Sequence, residues 1–184
     1  QVLVNVVLAA PKPSSSEGQQ GWQTLTLRQS ELLSPKRDPH NTLRAALLEC
    51  LVDAGAPVAF AATGAALGWL PERTEAAAAG IAAKKMVVLD AHGRVQFAYP
   101  VSTVATSHKV TLADGRTFHA MCAIDALGCC FTFGQPVTVE SVCQVCGEPV
   151  RVQVNRLYDI MEEPPSAYSV HVDLDKYEDW ATKT

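Results

Sequence analysis

At 184 residues and 48% hydrophobic content, the chain is long enough for one ordinary domain or two small ones and apolar enough to bury a core, which excludes a disordered polypeptide. A formal net charge of −4 and a pI near 5.7 give no general attraction to nucleic acid, so any such contact needs a local basic patch. The longest apolar stretches, QVLVNVVLAA at the start and AAAAGIAA after Glu75, fall well short of the roughly 20 residues that cross a bilayer, and no membrane partner is expected.

In chain order, residues 2–8 and 22–27 read as strands joined by the Pro/Ser/Gly-rich loop PKPSSSEGQQG. QVLVNVVL alternates polar and apolar residues and has no basic leader, so it is expected to be a strand and not a signal peptide. SPKRDPHN follows as a linker and closes a first segment, 1–40. Asn41 is a fair N-cap, and Leu43, Ala46, Leu47, Cys50 and Leu51 recur at i, i+3, i+4, predicting an amphipathic helix over 41–54 stopped at Gly55 with Cys50 in its apolar stripe. A short helix over 60–67, the turn GWLPE and a helix over 71–85 with Pro71 at its first position come next. MVVLD and RVQFAY around AHG then predict a hairpin.

Three short helices followed by a hairpin is the order of a winged helix-turn-helix, which makes 41–100 a winged-helix-like region. Its third helix, PERTEAAAAGIAAKK, offers alanines, Glu72 and Glu75 where a DNA reader brings Arg, Asn, Gln or Lys to base edges, so a structural role is expected. Trp22 and Trp69 are expected to pack, not to form a binding box.

From Val101 the pattern is rich in strands. HKVTLADGRTFHAMC predicts a hairpin turning at ADG, with Thr117–Ala120 leading into a short helix near Cys122. QPVTVESVC and EPVRVQV alternate strictly around CQVCGE, and YSVHVDL is a further strand. The fold class is therefore α+β: a winged-helix-like helical region, then a small mixed or antiparallel β-sheet core with short helices over 101–184.

The six cysteines are Cys50, Cys122, Cys129, Cys130, Cys143 and Cys146. A chain with its own apolar core needs no disulfide staples, and CC and CxxC spacings suit thiol or metal chemistry, so a reducing cytoplasm is expected. In HAMCAIDALGCC, Cys122 stands three residues before Asp125. That spacing fits two parts of one reactive site, two ligands of a metal, or a buried Cys beside a helix cap. If Cys122 opens the helix, Asp125 shares its face, the helix N-terminus lowers the thiol pKa, and Cys129, about two turns on, falls on that face while Cys130 points about 100° away. CQVCGEP supplies half of a four-thiolate site. His92 and His108 are expected to be exposed, and His119 to stand beside the strand carrying Cys122.

LADGRTFHAMCAIDALG, followed by GQPVTVESVCQVCGEPVRVQV, resembles the core of the organomercurial (alkylmercury) lyases, over roughly residues 41–155. The elements that carry the likeness are Arg116, Phe118, Cys122, Ala123, Asp125, Cys143, Gly147, Pro149 and Val150. The resemblance implies that Cys122 captures mercury from an organomercurial and that Asp125 passes a proton to the departing carbon. Mercury would be substrate and product metal, a low-molecular-weight thiol would be a partner, and no organic cofactor would be needed. The family's second active-site Cys, downstream of the hairpin, has no counterpart, since no cysteine follows Cys146. Cys129, Ser169 and His171 are the candidates to stand in for it. The full set of candidate metal ligands is Cys122, Asp125, Cys129, Cys143, Cys146 and His171. A relative that stores, delivers or senses a soft or transition metal, zinc or copper included, is the alternative, and a winged-helix DNA-binding regulator is a further one.

Overall fold

The computed structural model describes residues 38–143, 145–155 and 159–163. The strand-like pieces at 2–8 and 22–27, Trp22, and the segment YSVHVDL with Ser169 and His171 lie outside the described residues.

Helix α1 (Pro39–Ala54) begins two residues earlier than its sequence suggests. Asp38, not Asn41, is the N-cap: its carboxylate accepts from the backbone N–H of His40 at 3.0 Å. Pro39 at the first position loses no hydrogen bond there, so Asp-Pro is a better start than Asn-Thr. Gly55 ends the helix at φ 57, a left-handed conformation that suits glycine. Helices α2 (Phe60–Ala66) and α3 (Pro71–Ala83) follow, and then β1 (Val87–Leu89) and β2 (Val95–Ala98). The order of three helices and a hairpin is as read from sequence. The remaining elements are β3 (Val101–Ser102), β4 (His108–Leu112), β5 (Thr117–Ala120), α4 (Ala123–Phe133), β6 (Val137–Val142), β7 (Pro149–Val154) and β8 (Ile160–Glu163). Neither β3 nor β8 stands out in the sequence. The first has two residues, and the second, IMEE, carries little β-propensity and is held by pairing with β7.

Among the described residues the fold is α+β, with the strands in one antiparallel sheet of order β1-β2-β3-β5-β4-β6-β7-β8. The sheet passes without a break across residues 100 and 101, because Ala98 pairs with Val101 around the Tyr99-Pro100 turn. Helix α1 packs over β2 and β3, while α4 packs over β4, β5 and β6. One apolar cluster joins Leu47, Leu48, Leu51 and Val52 of α1 to Val110, Phe118, Ala120, Val137 and Val139 of the sheet and to Ala126 and Cys129 of α4. Each fully buried Leu or Val contributes about 1.5–3 kcal/mol relative to exposure. A smaller cluster of Leu43, Ala77 and Ile81, with Trp69 packed against it, holds α3 to α1. Trp69 is thus a packing residue, as expected, and the Arg73 guanidinium lies 4.0 Å over its ring.

Helices α2 and α3 touch through Gly64, where a Cβ would fall on the Thr74 side chain. Gly64→Ala should therefore cost about 1–3 kcal/mol by overpacking. That loss should exceed the loss from Gly55→Ala, which meets open space and carries only left-handed strain. Urea denaturation of the two variants checks the ranking.

Candidate functional site

The site forms where β5 stops and α4 starts. Phe118 and Ala120 alternate into the core along β5. Cys122 keeps extended geometry (φ −146, ψ 174) while its carbonyl accepts the first helical bond, from Ala126 N–H at 3.0 Å. It is therefore the N-cap residue, and Asp125 sits in the first turn, where the exposed N–H groups of a helix favour negative charge.

Asp125 is nonetheless only 4% exposed. The Cys122 thiol and the Tyr99 hydroxyl lie near enough to its carboxyl to favour the carboxylate. Its Oδ1 is buried with no hydrogen-bond partner among the described residues. Burial is the main cause that raises the Asp125 pKa, and the contacts from Cys122 and Tyr99 offset only part of it. Cys122 responds in the same direction: burial first, then the charge of Asp125, push its thiol up to about 12, against backbone N–H contacts from Asp125 and Ile124 that pull it down. The expectation that the helix N-terminus would leave Cys122 a ready thiolate is therefore corrected, since desolvation and a neighbouring carboxylate outweigh the helix end. Both shifts favour the protonated forms.

Tyr99 is the site residue that sequence reading misses. It lies in the turn between β2 and β3, and nothing in FAYP marks it, because its closeness to Asp125 arises from sheet pairing. Its hydroxyl pKa rises to about 12, through burial first and then Asp125. Arg44 of α1 donates from Nη2 to the Tyr99 carbonyl at 2.5 Å and supports this turn from behind. The Arg44 Nε is buried without a partner among the described residues, and burial lowers the guanidinium's pKa.

The other sequence candidates are distributed as follows. Cys129 is fully buried, and its thiol donates back to the Asp125 carbonyl at 3.2 Å, so its sulfur is turned into the core. Cys130 is buried and directs its thiol to the Asn155 carbonyl at 3.4 Å. Cys143 and Cys146 lie together in the β6–β7 turn, where backbone N–H groups of Cys146 and Val145 lower the Cys143 pKa. Cys50 is half-buried on α1. Among the described residues, no three His, Cys, Asp or Glu side chains converge as a metal site. His92 is exposed as expected. His108 is not: it is 8% exposed, its Nδ1 lies 2.8 Å from Ser141 Oγ, and burial lowers its pKa. Its strand is interior to the sheet and its side chain follows the same inward alternation as Val110 and Leu112. His119 accepts from the Thr106 N–H through Nδ1 at 3.2 Å. Arg116 lies outside the site and ties the β4–β5 hairpin to α1, bonding Glu49 at 2.6 Å, Asp53 at 2.9 Å and Asp114 at 2.8 Å.

Residues 101–184 match the family model described as alkylmercury lyase. Alkylmercury lyases of Bacillus cereus and Clostridium butyricum are each 35% identical over 81 residues, which is 44% of this chain and 36% of theirs. The chain thus aligns with about a third of the length of the curated relatives it matches. Among solved structures, the crystal structure of the mercury-bound form of MerB2 superposes with a TM-score of 0.53 at 25% identity, covering 72% of this chain and 64% of that one. The resemblance to alkylmercury lyases therefore holds in sequence and in fold. The family-model match begins at 101, not at 41, and continues through the C-terminal residues. No helix among the described residues is long and apolar enough to cross a membrane.

A carboxyl whose pKa is raised by folding favours the protonated form. Its cost is absent below the unfolded value of about 4 and grows as pH rises from there through the folded pKa. Asp125→Asn should therefore resist urea better than the parent protein at pH 7, with the difference vanishing toward pH 3. Denaturation midpoints measured across that range check this.

Proposed function

We propose that this protein captures an organomercurial on Cys122 and cleaves its carbon–mercury bond by protonolysis, with Asp125 as the general acid. The observation that carries the reading is the closeness of Cys122 at the helix N-cap to the buried Asp125 in the first turn, inside the segment that matches the alkylmercury lyase family.

The chemistry follows from those two groups. A soft metal displaces the proton of Cys122 and is held by sulfur, the donor type it prefers. Asp125, as the carboxylate, takes that proton, which burial favours it keeping, and returns it to the carbon as the carbon–mercury bond breaks. The hydrocarbon leaves and mercury stays on sulfur. Tyr99 keeps the Asp125 carboxyl oriented toward Cys122, and a low-molecular-weight thiol supplies the further soft donor that takes the metal onward. The organisation proposed with this mechanism is a core over 101–184, braced by a winged-helix-like region over 41–100, working in a reducing cytoplasm without nucleic acid, membrane or organic cofactor. His171 is a proposed further ligand.

A second reading has its own support. Cys129 directs its thiol to the Asp125 carbonyl inside the core, which leaves Cys122 without a second thiol from α4. A protein that binds a soft metal at Cys122 without turnover fits that arrangement.

Incubation with methyl- or phenylmercury in excess thiol separates the two. The lyase reading expects methane or benzene release by gas chromatography, abolished by Cys122→Ser and lowered about 10²–10⁴-fold by Asp125→Asn, the usual range for losing a general acid. Mercury retained through Cys122 by folded protein, with no hydrocarbon released, would overturn the lyase reading in favour of binding alone.

A further inference from the structure

The turn between β6 and β7 carries two thiols that the proposed reaction does not use. Cys143 N–H donates to the Glu148 carbonyl at 2.9 Å, and Gly147 N–H donates to the Cys143 carbonyl at 2.9 Å. Gly147 adopts φ 74, which closes the knuckle. These two bonds close one tight turn that holds both Cys143 and Cys146. Cys146 is exposed and Cys143 half-buried, so an ion can reach both.

Register brings this turn to the level of Cys122. Lys109 of β4 pairs with His119 on one side and with Glu140 on the other. Counting outward by three from each, Cys122 and Cys143 leave the sheet at one end and at one level, with β4 between them. Two strand spacings separate them, about 10 Å. By alternation Cys143 continues the face of β6 that buries Val137 and Val139.

We propose that Cys143 and Cys146 form a dithiol site for a soft, two-coordinate metal ion, and that this site takes over Hg(II) from Cys122. Among the described residues no third His, Cys, Asp or Glu joins the two, so the site offers half of what a tetrahedral structural zinc requires. Two thiolates satisfy Hg(II), which favours linear coordination by sulfur. The takeover rests on the lyase reading, whereas the site does not. The step balances as a thiol exchange. Mercury bound to Cys122 and to one small thiol is attacked by the Cys143 and Cys146 sulfurs, two mercury–sulfur bonds form and two break, and the two protons released go to the Cys122 and small-thiol sulfurs.

The test uses the full chain, mercuric chloride and excess glutathione under reducing conditions, with elemental analysis after gel filtration and circular dichroism to verify folding. Cys122→Ser is expected to retain one Hg(II) per chain. Adding Cys146→Ser should weaken retention about 100-fold or more, the scale on which losing one of two linked donors acts. Failure of Cys122→Ser to hold mercury, or equal retention by the double variant, would overturn the site. So would a 143–146 disulfide that persists under these conditions, which would make the pair a redox couple. In the parent protein loaded with one equivalent, peptide mass mapping should find mercury on the fragment containing Cys143 and Cys146, and mercury on the Cys122 fragment would overturn the takeover. Hydrocarbon release fails independently: parent protein that releases none, while Cys122→Ser holds mercury, keeps the dithiol site and loses the lyase reading.

Discussion

Keeping a carboxyl nearly out of water, one helical turn from a thiol, is the constraint on which this site depends. Asp125 lies where a helix end favours its charge, yet burial dominates and favours its proton. Its Oδ1 has no partner among the described residues, and an unsatisfied buried polar atom costs about 1–3 kcal/mol. A fold tolerates such a cost when surrounding packing over-determines the position. Here Ala123, Ala126 and Cys129 are buried on the same helix and lock α4 against the sheet.

The helical region contributes to the site from a distance. Arg44 of α1 reaches the carbonyl of Tyr99, whose hydroxyl reaches Asp125. Glu49 and Asp53, one and two turns further along the same helix, grip Arg116 at the far end of β5. Exposed ion pairs contribute little singly, but the Arg116 cluster converges three carboxylates on one guanidinium at the start of the strand that leads to Cys122. Helix α1 therefore reaches the start of β5 through Arg116 and the Tyr99 turn through Arg44, while its leucines share one core with the sheet.

His108 and Cys129 show where reading one residue at a time fails. His108 opens a strand and is polar, and both features suggest exposure. Its strand lies between β5 and β6, so an inward position there is covered whatever its chemistry, and Ser141 on the neighbouring strand gives it a hydrogen bond. Cys129 has the spacing to share a face with Cys122. A helix face is an arc, however, and the sheet covers the part of that arc where Cys129 falls. Its thiol then turns back to the Asp125 carbonyl.

The sequence by itself determined most of the elements and the closeness of Cys122 to Asp125. Gly55 and Pro71 bound helices, alternation marks β4 through β7, and Cys122 and Asp125 are local to one another, because a helix turn makes three residues of spacing a fixed geometry. Only the tertiary structure decided the direction in which that pair's pKa values shift, the arrival of Tyr99 and Arg44, the inward turn of Cys129 and the register that carries β5 and β6 to the same end of the sheet. Each of these depends on which strands pair and what they cover. Desolvation and strand register are set by the whole sheet, and no short stretch of sequence carries them.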